Sequence, residues 1–201
     1  MHSAIDAFYH IMRQNNLKQS DIKEVVLRVN PRFAYQSNLW PVDRPCDALD
    51  FQFYTPLILG MAAFNVEPGP DWQSEENLSN QEIKDFTRRV KFEADPSVLK
   101  AIYEEVGNEP RPVTKSPATV EVTTTDGRAF REYREYAKGD PWTPATSLTD
   151  AELNNKFRAF AGKLLSSQQV EAVIKSMYEL EKTENILDFT RLLLPESERE
   201  V

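Results

Sequence analysis

The feature that most constrains this fold is a change in hydrophobic pattern near residue 146. Before it, runs with strand-type alternation lie between helical runs, and two of them, 119–125 and 129–137, flank Asp126-Gly127, a strong hairpin signal. After it, apolar residues recur only at helical spacing. The pattern therefore predicts an α+β domain over 1–145, with a small mixed sheet and helices, and a helical tail over 146–201.

The first half of the chain divides at its prolines. The apolar spacing predicts a helix from Ser3 to about Asn16, and β-branched residues predict a strand over Ile22–Val29 that Pro31 ends. Residues 31–48 hold three prolines and little periodicity, which predicts a loop. The most apolar stretch then predicts a buried helix from about Pro56 to Phe64, although a buried strand fits the same pattern.

Capping signals organise the rest of the chain. Ser79 to Glu82 resembles a capping box that opens a helix to about Arg89, and Thr149 to Glu152 resembles a second one. Between them we expect a short strand over Val90–Glu93 and a helix over Pro96–Val106. Three amphipathic helices are expected in the tail, and their apolar faces need a partner surface.

Composition excludes several classes of function. The 201 residues contain 24 Lys and Arg against 32 Asp and Glu, a net charge of −8, which argues against nucleic acid as the main partner. Cys46 is the single cysteine, so a disulfide framework and a Cys-based zinc site are excluded. The sequence has neither a membrane-length apolar run nor a signal-peptide pattern, so we expect a cytoplasmic protein that binds neither membrane nor nucleic acid.

Local motifs alone assign no chemistry. The sequence has no Gly-rich phosphate loop, no metal-ligand spacing and no nucleophile elbow. His10 fits a solvated helix histidine, and Cys46 fits a packed residue because no base stands beside it. His2 stands at a helix start, where backbone N–H groups gather. Gln52 and Tyr54 lie in the apolar stretch, where core packing is the default.

Several segments, in order, resemble the MmgE/PrpD family, which includes 2-methylcitrate dehydratase and cis-aconitate decarboxylase. His2 to Ala7 is similar to its H-x-x-I-D-A helix start, and Asp50 to Leu57 to its D-A-x-F-S-x-P-Y segment. Asp126-Gly127-Arg128 matches the hairpin D-G-R. The run from Ala137 to Phe157 resembles K-G-x-P-x-N-P-L followed by E-L and K-F, and is the most specific match.

The resemblance covers only the C-terminal part of the family pattern. Family members have a large helical domain, a smaller α+β lid domain and returning helices, and this chain corresponds to the lid and those helices. The family works without a cofactor or metal on small di- or tricarboxylic acids. The resemblance implies that His2 is an acid/base, that Gln52 and Tyr54 line the substrate site, and that the tail docks on a helical domain.

The sequence also departs from the family. Tyr54 replaces the serine of the F-S-x-P-Y segment, and Leu57 replaces its tyrosine and cannot transfer a proton. The active-site Asp, Thr, His and Lys of the helical domain are outside these 201 residues, so we expect the chain alone to be inert.

Two functions follow. The first is the lid subunit of a hydro-lyase, decarboxylase or isomerase that needs a helical partner chain, and the second is a non-catalytic binding module. The chain could be a natural split subunit, a truncated piece or an adapted lid, and a homo-oligomer is also expected from the family.

Overall fold

The computed structural model describes residues 1–38, 47–107 and 113–195. They divide into two compact units, a body unit (Met1–Ser147) and a tail unit (Leu148–Val201). The helices and strands of the body unit, in chain order, are α1 (His2–Gln14), β1 (Ile22–Val29), α2 (Pro31–Asn38), α3 (Ala48–Phe51), α4 (Thr55–Ala63), α5 (Glu75–Ser79), α6 (Gln81–Thr87), β2 (Val90–Ala94), α7 (Pro96–Val106), β3 (Ala118–Thr124) and β4 (Ala129–Arg134). The α+β prediction is confirmed.

The body sheet is mixed, as predicted. In the described residues its strand order is β2-β1-β3-β4, with β1 and β2 parallel and the other neighbours antiparallel. The hairpin turns at Asp126-Gly127, where Gly127 has a φ of +88° that suits glycine. Alternate residues of β1 are buried, so one sheet face joins the core and the other carries charged side chains.

Helix α1 lies against the apolar face of the sheet, and α4 packs against α1 and α6. Both α1 and α4 contribute to the main core with buried residues of β1 and β3, and Phe8 packs edge-on against Phe86 with ring centroids 6.3 Å apart. Every residue of α4 is buried, which confirms the predicted helix and excludes the strand alternative. A second cluster contains Phe51, Tyr54, Leu57, Ile58, Met61, Leu78 and Ile83.

Two local predictions are wrong. The predicted loop over 31–48 contains α2, because Pro31 occupies the first turn of a helix, where its missing N–H costs nothing. Cys46 and the prolines at 41 and 45 lie outside the described residues. The predicted box at Ser79 is displaced by one position. Asn80 caps α6 by accepting from the N–H of Glu82 at 2.9 Å, while Ser79 ends α5.

The tail unit is helical, as predicted. It contains α8 (Asp150–Ala161), α9 (Ser167–Tyr178) and α10 (Ile186–Leu192). The capping box at α8 is confirmed: the Thr149 side chain accepts from the Glu152 N–H, and the Glu152 carboxylate accepts from the Thr149 N–H at 2.8 Å. Leu165, Val170 and Val173 form its small buried core.

Candidate functional site

His2 is the first residue of α1, and its side chain is exposed. The buried face of this helix consists of Ser3, Ala4, Ala7, Phe8, Ile11 and Met12. His2 therefore lies on the opposite face, where helical spacing aligns it with Asp6, Tyr9 and Arg13. This stripe is the polar surface of the helix that carries the predicted acid/base.

Asp6 connects this stripe to a distant part of the chain. Its carboxylate accepts a hydrogen bond from the backbone N–H of Lys138, 132 residues later in the sequence. Lys138 lies in the loop that follows β4, and its ammonium group donates to the Ser147 carbonyl at 3.0 Å. The fold thus joins the backbone of this loop to the helix that carries His2.

Tyr54 and Gln52 have different surroundings. Tyr54 is buried in the second apolar cluster and stands at the N-cap position of α4, and its carbonyl accepts from the Leu57 N–H at 3.0 Å. Gln52 is exposed in the turn between α3 and α4. Leu57, which we predict to replace the family tyrosine, is only 1 % exposed and packs in the same cluster.

The His2 helix and the Tyr54 segment belong to neighbouring elements. Ile5, one turn after His2, packs against the cluster that contains Tyr54, and α1 contacts α4. The structure therefore packs α1 against the apolar segment, and Tyr54 is part of that packing. The side chains of His2 and Gln52 are open to solvent.

The far end of α1 contains a separate cavity of about 270 Å³. Tyr9 and Arg13 line it, with the Arg13 guanidinium 5.1 Å from the centre of the Tyr9 ring. Burial raises the pKa of Tyr9 to about 12, opposed by Arg13 and assisted by the carboxylates of Glu67 and Asp6. Its hydroxyl is therefore protonated across the physiological range.

Neither a metal centre nor a membrane span is found in the part of the chain that the structure describes. No group of three or more His, Cys, Asp or Glu side chains there is arranged to hold a metal ion. No helix of the described ranges is long and apolar enough to cross a bilayer.

The tail unit presents an apolar groove between α8 and α9. Its volume is about 470 Å³, and its apolar lining consists of Leu153, Phe157, Phe160, Val173, Ile174 and Met177. Leu153 and Met177 are 52 % and 55 % exposed. Contiguous exposed apolar surface of this kind marks sites of protein interaction.

Comparison with known proteins identifies the family. The sequence-family model of the MmgE/PrpD C-terminal domain matches residues 1–180. The chain belongs to the MmgE/PrpD family. It is similar to the cis-aconitate decarboxylase of Homo sapiens, with 27 % identity over 196 residues that cover 96 % of this chain and 36 % of that protein. The Mus musculus protein of the same name is 26 % identical over 175 residues, covering 86 % of this chain and 31 % of its own length.

The chain thus spans about a third of the length of these relatives. The match supports a lyase-like family domain, and the predicted resemblance is confirmed. The roles of His2, Gln52 and Tyr54 stay predictions. Asp6 and Lys138 lie within the family-like motifs, but the sequence predicts no role for them, because only the tertiary structure brings them together.

Proposed function

We propose that this chain is the lid-type, C-terminal part of a hydro-lyase, decarboxylase or isomerase that acts on a small di- or tricarboxylic acid without a cofactor. The family match and the similarity to cis-aconitate decarboxylases support this proposal. The observation that carries it is the exposed His2 on the first turn of α1, at the position of the family acid/base. The protein is proposed to be cytoplasmic.

The proposed chemistry needs a proton carrier. Abstraction of a proton next to a carboxylate, followed by loss of water or carbon dioxide, requires an acid/base within hydrogen-bond reach of the reacting atoms. His2 would take that role, and Gln52 and Tyr54 would line the substrate site. Because the chain has a net charge of −8, further cationic groups for an anionic substrate would come from a partner.

The proposed partner is a helical domain. About two thirds of the length of the human relative lies outside the matched region, which covers 36 % of it. A helix inserted into the groove of the tail unit would bury its apolar lining, including Leu153 and Phe160. The alternative occupant of this groove is a second copy of the chain.

The activity test uses this chain together with the helical region of an MmgE/PrpD protein from the same genome. The mixture is assayed for turnover of cis-aconitate and of 2-methylcitrate. We expect His2→Ala to lower kcat by about 100-fold or more, the usual range for loss of a general acid or base. His10→Ala is the matched control, because His10 lies on the same helix, eight residues later. Full activity of the His2→Ala protein would disprove the catalytic role.

The association test uses Met177→Glu, which places a charge in the groove. Gln168→Glu is its control, because it adds the same charge to an exposed position of α9. We expect Met177→Glu to abolish complex formation with the helical region in sedimentation velocity, and the control to retain it. If only self-association of the chain is lost, the groove serves a homo-oligomer instead.

A second function, the non-catalytic binding module, is favoured by Leu57. Its buried aliphatic side chain stands where the family has a tyrosine and cannot exchange a proton. This alternative predicts partner binding that persists in the His2→Ala protein and no turnover by any form of the complex.

A further inference from the structure

The loop that follows β4 contains several internal hydrogen bonds. The Gly139 N–H donates to the Thr146 carbonyl at 2.7 Å, and the Asp140 carboxylate accepts from the Ala137 N–H at 2.8 Å. The Thr146 hydroxyl donates to the Asp140 carbonyl at 2.8 Å. Gly139 has a φ of +101°, a conformation that glycine adopts without strain. We call residues 137–147 the anchor loop.

The anchor loop meets α1 through a charged acceptor. The Asp6 carboxylate receives the Lys138 N–H, and hydrogen bonds to ionised groups are roughly twice as strong as neutral ones. Asp6 lies four residues after His2, so the two side chains share one face of the helix. The hydrogen bond to Asp6 therefore also restrains the helical turn that carries His2.

From this contact we infer that Asp6 is a positioning residue for His2. The inference rests on the proposed function of His2 as acid/base. Helix ends fray, and α1 has no side-chain cap at its start. A displacement of about 1 Å in a catalytic group costs about 100-fold in rate, so a fixed first turn matters more for turnover than for stability.

The contact itself is tested on this chain by NMR. The wild-type Lys138 amide is expected to be protected from hydrogen exchange by its hydrogen bond to the Asp6 carboxylate. In Asp6→Ala we expect the protection to be lost. In Asp6→Asn, which keeps an acceptor oxygen, we expect most of the protection to remain. Unchanged Lys138 exchange in Asp6→Ala would overturn the inference.

The positioning role is tested in the active complex with the helical region. We expect Asp6→Ala to lower kcat by about 100-fold with KM nearly unchanged, because binding groups stay in place while His2 is misplaced. Asp6→Asn should recover most of this loss, because it keeps the acceptor oxygen. If only the negative charge of Asp6 mattered, Asp6→Asn would be as impaired as Asp6→Ala. Asp21→Ala is the matched control, because Asp21 also accepts a backbone N–H, from Lys18 at 2.8 Å, beyond the far end of α1.

The outcomes separate the two proposals. If His2→Ala is inactive but Asp6→Ala retains the wild-type kcat, the positioning role is wrong and the proposed function stands. If His2→Ala retains full activity, the proposed function fails and the positioning role fails with it, whatever the exchange of Lys138. If Asp6→Ala and Asp21→Ala lose activity equally, the Asp6 effect is general destabilisation and the inference is overturned.

Discussion

The body unit and the tail unit bury apolar surface to different extents. In the body unit, large side chains such as Phe8, Leu27 and Leu59 are completely buried between helices and sheet. In the tail unit, Leu165, Val170 and Val173 are the buried core, while Leu153, Phe160 and Met177 remain about half exposed. The first unit has a closed core of its own. The second has an incomplete core and an apolar surface available to a partner.

The largest expected effect tests the closed core. Phe8→Ala removes a completely buried ring and is expected to cost about 3–5 kcal/mol of unfolding free energy, from lost burial and the cavity left behind. All three tryptophans, Trp40, Trp72 and Trp142, lie in the sequence of the body unit, so urea unfolding followed by tryptophan fluorescence measures its stability. An unchanged fluorescence midpoint would contradict a core centred on Phe8.

The matched substitution in the tail unit is Leu165→Ala. We expect it to cost about 2 kcal/mol, the low end for a buried leucine, because its cluster is small and partly open. The far-UV circular dichroism transition should shift, while the fluorescence transition of the body unit should not. A shared shift of both transitions would mean that the two units unfold together, and the comparison would fail.

Helix caps give the next largest effects. Thr149→Ala breaks the capping box of α8 and should cost about 1 kcal/mol. In the body unit, Asn80→Ala should cost a similar amount, while Ser79→Ala should change stability by less than about 0.5 kcal/mol. Urea unfolding measures all three. A larger loss of stability in Ser79→Ala than in Asn80→Ala would support the capping box at Ser79 that the sequence predicts.

The exposed groove predicts a small effect in the isolated chain. Leu153→Gln should change the unfolding free energy by less than about 0.5 kcal/mol, because the side chain is already half exposed. The same variant should weaken association with the helical region strongly. A large loss of stability in the isolated chain would show that the groove is closed without a partner.

Alkaline pH should weaken the body unit through Tyr9. Its folded pKa of about 12 lies above its ordinary value of 10.0 because burial disfavours the phenolate. The folded state then holds the proton more tightly than the unfolded state, so stability is unaffected below about pH 10 and falls as pH rises toward 12. Tyr9→Phe should remove this decline, which denaturation at several alkaline pH values measures.

Acid pH should act on an exposed pair in the tail unit. Arg158 donates to both carboxylate oxygens of Glu171, at 2.6 and 2.9 Å, and this hydrogen bonding lowers the pKa of Glu171. The contribution to stability is complete above the ordinary pKa of the carboxyl and is lost as pH falls through the lowered value. Arg158→Gln should raise the pKa of Glu171, as followed by NMR of its carboxyl carbon. An unaltered titration would mean that the pair does not persist in solution.

Sequence alone determined several of the local elements of this protein. Alternation about Asp126-Gly127 predicted the hairpin, and Thr149 with Glu152 predicted the cap of α8, because both signals depend on residues a few positions apart. The predictions at Pro31 and Ser79 were wrong, because proline both ends strands and begins helices, and because adjacent Ser79 and Asn80 are both good caps.

The tertiary structure alone decided which distant residues meet. The parallel pairing of β1 with β2 and the Asp6–Lys138 hydrogen bond join segments whose separation in sequence carries no local signal. The motifs around His2 and Lys138 indicated a family, but the geometry that joins them required the folded sheet and its covering helices. Local propensity acts over a few residues, whereas a site is assembled from side chains that only packing brings together.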